Sequence, residues 1–131
     1  MKPPVVHRGV DCAPVKEMLA RITGKWPVMI VTRLSAAPMR FSDLKRDIGD
    51  ISQKMLTSTL RSLEEDGFVR RVVTPTIPPR VDYELTDLGH ELLEPIEALG
   101  CWAIENRHRI ETARREFRER VRTPAGAVAR A

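Results

Sequence analysis

The chain has 131 residues, with 22 basic against 18 acidic side chains and a formal charge of +4: one domain with a modest core, weakly biased towards an anionic partner. No apolar run approaches the roughly 20 residues that span a bilayer, and the N-terminus lacks the apolar centre of a secretory signal. Two cysteines, Cys12 and Cys101, are too few and too far apart for a disulfide framework, so the expected setting is a reducing cytoplasm.

Residues 1–10 carry two prolines and no helical period, which makes them an arm. From Pro14, Val15, Met18, Leu19 and Ile22 form the stripe of a first helix that ends at Gly24, with Asp11 as its candidate cap. A second helix, about Trp26 to Ser35, is apolar on almost every side and should lie centrally in the core. Ala36, Ala37 and Pro38 break the chain. The short segment RFSDLKRDIGD has Phe41, Leu44 and Ile48 as its buried positions, and Gly49 and Asp50 connect it tightly to the next helix. Ser52 caps that helix, and Ile51 and Leu56 have the spacing of a hydrophobic staple. Leu56, Leu60 and Leu63 share one face; Lys54, Thr57, Ser58, Arg61 and Glu65 share the opposite one. Bases come early and acids late, the reverse of what the helix dipole prefers. A phosphate backbone and base edges would account for such a face.

After Gly67 the period changes to that of strands, FVRRVVT and RVDYELT, with Val81, Tyr83 and Leu85 alternating with Asp82 and Glu84. Pro75, Pro78 and Pro79 confine the tip between them to a turn. Two closely joined short helices followed by a basic hairpin make a winged helix-turn-helix, mainly α with a small β wing. Beyond it, Thr86 is a candidate N-cap for a helix with the stripe Leu88, Leu92, Leu93, Ile96 and Leu99, which Pro95 and Gly100 should kink or break. A last helix, about Cys101 to Val121, has the thin stripe Ile110, Ala113, Phe117 and Val121 and the pairs Glu105/Arg109, Glu111/Arg115 and Glu116/Arg120. Packing against another helix would hold it in order. Residues 123–131 are expected to be disordered.

Several of these segments carry a family resemblance. A cysteine before the first helix, GKW at 24–26, RFSDL at 40–44, ISQKMLTSTLRSLEEDG at 51–67, PPRVDYELTDLG at 78–89 and Trp102 together resemble the HxlR-type regulators, winged-helix bacterial transcription factors related to the MarR group. The match runs from about Cys12 to His108. The resemblance implies a homodimer, built through the first and last helices, that binds a pseudo-palindromic operator in double-stranded DNA and most often represses. It divides the chain into an arm (1–10), a winged-helix domain with its dimerisation helices (11–108), a helical extension (109–122) and a tail (123–131). Some members sense quinones, aldehydes or hypochlorite through a cysteine where Cys12 stands, in some cases by bonding to a cysteine of the partner's C-terminal helix, where Cys101 stands. Here DCAPV sets Cys12 one residue farther from GKW than in many relatives.

The residues expected to meet DNA are Gln53, Lys54, Thr57, Ser58 and Arg61 on the recognition helix, where glutamine favours adenine and arginine guanine. Arg80 on the wing could enter the minor groove or bind phosphate, and Arg71 on the wing, with Lys45 and Arg46 on the preceding helix, are candidate phosphate contacts. Arg70 and Arg71 point to opposite faces of their strand, so at most one of them can face DNA. At a helix N-terminus the Cys12 thiol would have a lowered pKa; the alternative is that Cys12 and Cys101 are small packing residues. Met18, Trp26, Met29 and Trp102 are either core or the lining of an effector pocket. His7, His90 and His108 lack zinc-site spacing, and no cofactor is expected. Two other functions compete: a winged-helix protein–protein module without direct DNA binding, and a thiol enzyme using Cys12. The second would need a base, for which His7 on the arm is the only local candidate, and an oxyanion site, for which there is no glycine-rich loop, so no enzymatic activity is expected.

Overall fold

The computed structural model describes residues 13–122. Expectations that fall on residues 1–12 and 123–131, namely the arm, the Asp11 cap, Cys12 and the tail, lie outside these. The chain divides into two compact units, Met1–Leu93 and Glu94–Ala131.

The elements of the first unit follow the order α1 (Ala13–Ile22), α2 (Lys25–Leu34), β1 (Met39–Arg40), α3 (Phe41–Ile48), α4 (Gln53–Glu65), β2 (Val69–Thr74) and β3 (Arg80–Leu85). Nearly all-round apolarity makes α2 the hub. It packs against α1, α3, α4 and β3, and its Ile30, Val31 and Leu34 are buried at 0%, 0% and 2% exposure. Leu44 and Ile48 of α3, Leu56, Leu60 and Leu63 of α4, and Ile51, Val69 and Leu85 complete this core. Fully burying each such side chain contributes about 1.5–3 kcal/mol. An ion pair at 2.7 Å from Arg33 Nε to Asp47 Oδ2 joins α2 to α3. Phe41, expected in the core, is half-buried.

The hairpin pairs β2 with β3 from Val69 opposite Leu85 to Thr74 opposite Arg80, antiparallel. Two-residue β1 adds to the other edge of β3, Met39 opposite Tyr83, for the order β1-β3-β2. Sequence periodicity does not register a strand so short. Nor does β3 bury one face only: Val81, Asp82, Tyr83 and Glu84 are all half-buried, and Leu85 alone is buried. Two helices joined at Gly49 and Asp50 and followed by this hairpin are a winged helix-turn-helix.

The final helix, α5, runs from Asp87 to Arg122. Thr86 is its cap, accepting from Gly89 N at 3.1 Å and donating its own hydroxyl to the Gly67 carbonyl. Thr86 N also donates to Phe68 O at 3.1 Å. Pro95 lies inside α5 without breaking it, and Gly100 does not end it either. Once a helix is nucleated, each further residue adds its own bond, and one missing bond at Pro95 is outweighed by those beyond it. The three expected carboxylate–arginine pairs do not form. Instead Arg107 pairs with Glu111 at 3.4 Å, while Arg109 donates to Asn106 and Arg115 to Thr112. No helix among the described residues is long and apolar enough to cross a membrane.

Candidate nucleic-acid interface

The ends of α4 are defined by local chemistry. Ser52 Oγ accepts from Met55 N at 3.0 Å, and Ile51 and Leu56 are both buried, as a staple requires. At the other end Gly67 has φ +82°, a left-handed conformation that favours glycine. Gly67 N donates to Glu64 O at 3.1 Å and Phe68 N to Leu63 O at 2.9 Å, the two bonds of a Schellman stop. α4 is therefore held at both ends and along its Leu56–Leu60–Leu63 face. Thr59, buried on that side, is satisfied by donating to Met55 O at 2.7 Å.

The opposite face is open to solvent. Gln53, Lys54, Thr57, Ser58 and Arg61 are all exposed and line one shallow groove together with Arg21, Ser62 and Glu65. On one flank Lys45 and Arg46 of α3 share a second hollow with Gln53. On the other, Arg71 of β2 meets Thr57 and Arg61 in a cleft completed by Glu64 and Tyr83. Adjacent Arg70 is committed elsewhere, donating from Nε to Glu84 Oε1 at 3.0 Å.

The state of each cation differs. Among the described residues Lys45, Lys54, Arg61 and Arg71 form no ion pair, whereas Arg46 is paired to Asp43 at 2.5 Å and Arg80 to Asp82 at 3.0 Å. The structure thus gathers eight of the nine expected contact residues around α4, leaving out Arg80, which opens β3 beside the wing tip with its guanidinium on its own strand. Cys101 is exposed in the second unit. Met18, Trp26 and Met29 belong to the first unit and exposed Trp102 to the second. Among the described residues no group of His, Cys, Asp and Glu is arranged to hold a metal ion.

Sequence reasoning missed Arg21. From α1 its Nε donates to Asp66 Oδ2 at 2.7 Å and its Nη2 to Glu65 Oε1 at 3.3 Å, and these bonds, Asp66 foremost, raise its pKa and keep it charged. The available signal was α4 itself, whose last turn has acids and no base.

The HxlR-like helix-turn-helix family matches residues 21–111. The HTH-type transcriptional regulator YtfH of Escherichia coli is 45% identical over 89 residues, covering 68% of this chain and 71% of that protein. Among solved structures, the redox regulator HypR in its reduced form superposes with a TM-score of 0.70 at 36% identity, covering 76% of this chain and 99% of HypR. Diamide-treated YodB from Bacillus subtilis superposes at 0.65 with 31% identity, covering 73% of this chain and 95% of YodB. With the winged helix-turn-helix in place, these matches make the chain a transcriptional regulator belonging to the HxlR-like helix-turn-helix family.

Proposed function

We propose that the chain is a homodimeric, sequence-specific DNA-binding regulator, most often acting as a repressor, in which α4 enters the major groove of a pseudo-palindromic operator. The observation that carries this reading is the exposed face of α4: Gln53, Lys54, Thr57, Ser58 and Arg61 in one groove, flanked by Lys45 and Arg71, which form no ion pair among the described residues. The buried leucine face holds the helix rigid while its amide, hydroxyl and guanidinium groups reach base edges. Lys45, Arg46 and Arg71 bind phosphates on either side and set the register. Arg80 joins them at the wing once DNA competes for its ion pair with Asp82. Residues 11–108 would form the working domain, with the helices at its two ends joining the protomers, and 109–122 would extend it.

Alanine substitution tests the assignment. Arg61→Ala should weaken operator binding by about 1–3 kcal/mol and relax base preference at one position, while a phosphate contact such as Lys45 should weaken all sequences alike. Equal binding of Arg61→Ala and wild type to the operator would remove Arg61 from the reading face.

We further propose a response to oxidants or small electrophiles through Cys12, with Cys101 of the partner subunit as the resolving thiol; the likeness to the redox regulator HypR and to diamide-treated YodB supports the redox part of this reading. Diamide treatment should then give a covalent dimer on non-reducing gels and change DNA affinity. A monomeric band with unchanged affinity would reject it.

A further inference from the structure

The charge order of α4 leaves its C-terminal turn in need of a cation. The helix has no acid in its first turn and no base in its last, so Glu64, Glu65 and Asp66 stand at the negative end of its dipole. Arg21 supplies the missing charge from another helix. Its guanidinium bridges Asp66 at 2.7 Å and Glu65 at 3.3 Å, and Nη2 also donates to Ser62 O at 3.5 Å. That carbonyl is one of the last in α4 and also accepts from Asp66 N at 3.1 Å.

The rest of α1 is lightly seated. Residues 14–20 are all exposed, and the apolar Val15, Met18 and Leu19 keep 49%, 57% and 49% of their surface. Arg21 and Ile22 are its half-buried positions. Arg21 moreover lines the same groove as Gln53, Lys54, Thr57, Ser58 and Arg61, beside the reading face.

We propose that Arg21 is a positioning residue for α4: it clamps the acidic C-terminal turn to α1, so that the pose of the reading face depends on where α1 lies. A displacement of α1 is then passed to α4 through one guanidinium. This rests on the reading of α4 as the DNA-contacting helix, and goes beyond it by naming a residue outside the helix-turn-helix that sets its fit.

The test uses the full chain as Arg21→Gln and as the charge swap Arg21→Asp with Asp66→Arg. Amide hydrogen exchange at Asp66, Gly67 and Phe68 in the free protein reports the clamp without DNA. Affinities for the operator and for scrambled DNA report its consequence. Arg21→Gln should speed exchange at these amides about three- to tenfold and lower operator affinity by a similar factor, the range expected for a partly exposed ion pair with charge-assisted bonds. Scrambled DNA should bind as before, and the swap should restore slow exchange. Unchanged exchange in Arg21→Gln overturns the proposal. Equal losses on both DNAs also overturn it, making Arg21 a direct phosphate contact, as does faster exchange throughout the core, which would make it a general stability residue. Should wild type fail to discriminate any DNA, the proposed function falls while the exchange result still decides on the clamp.

Discussion

Gly89→Ala sets two physical arguments against each other. Gly89 lies in the first turn of α5, and on helix propensity alone alanine should stabilise it by up to about 1 kcal/mol. The structure requires the opposite. A Cβ on Gly89 would stand 2.1 Å from the Phe68 carbonyl oxygen and 3.2 Å from Leu85 Cδ2. No rotamer change moves a backbone carbonyl, and Phe68 O is also held by the Thr86 N–H at 3.1 Å. Relief therefore means shifting the start of α5 by about 1 Å. Such overpacking costs about 1–3 kcal/mol, and weakening the Thr86 cap and backbone bond adds roughly 1–2 kcal/mol. Set against a propensity gain of about 1 kcal/mol, the net loss is about 1–4 kcal/mol. Urea denaturation followed by circular dichroism measures it directly, and thermal melting should show a midpoint lower by about 4–16 °C. A Gly89→Ala protein as stable as wild type would refute the close approach of α5 to Phe68.

Gly100, in the same helix, is the matched control: among the described residues nothing lies within 4 Å of an added Cβ, so Gly100→Ala should stabilise by up to about 1 kcal/mol in the same melt. Ser52→Ala removes the acceptor of Met55 N and should cost about 0.5–2 kcal/mol, with faster amide exchange confined to the first turn of α4. Lys45→Ala should leave stability within about 0.5 kcal/mol of wild type and reduce the slope of log affinity against log salt by about 1.

What was legible in the sequence was local. Ser52, Ile51, Leu56 and Gly67 define α4 through groups a few residues apart, and the two-faced period of that helix names both the core leucines and the exposed residues proposed as contacts. The winged helix-turn-helix followed from the same short-range signals taken in order. What was illegible depended on distant partners. β1 has two residues and exists only because Met39 lies opposite Tyr83. Arg21 gains its role only from Asp66 and Glu65, which lie more than forty residues away in the chain. Gly89 gives no sign in the sequence that a carbonyl crowds it. The salt bridges on α5 failed for another reason: exposed pairs differ by tenths of a kcal/mol, so spacing alone does not choose among them.

The central claim, that α4 and its flanking cations read DNA, is tested most directly by fluorescence anisotropy. The labelled probe is the intergenic DNA beside the protein's own gene, compared with a scrambled duplex at two salt concentrations. The account expects tight binding to the native DNA, weak binding to the scrambled one, and an affinity that falls steeply with salt as phosphate contacts release counterions. No binding to either duplex at low salt would contradict it and favour a winged-helix protein–protein module instead.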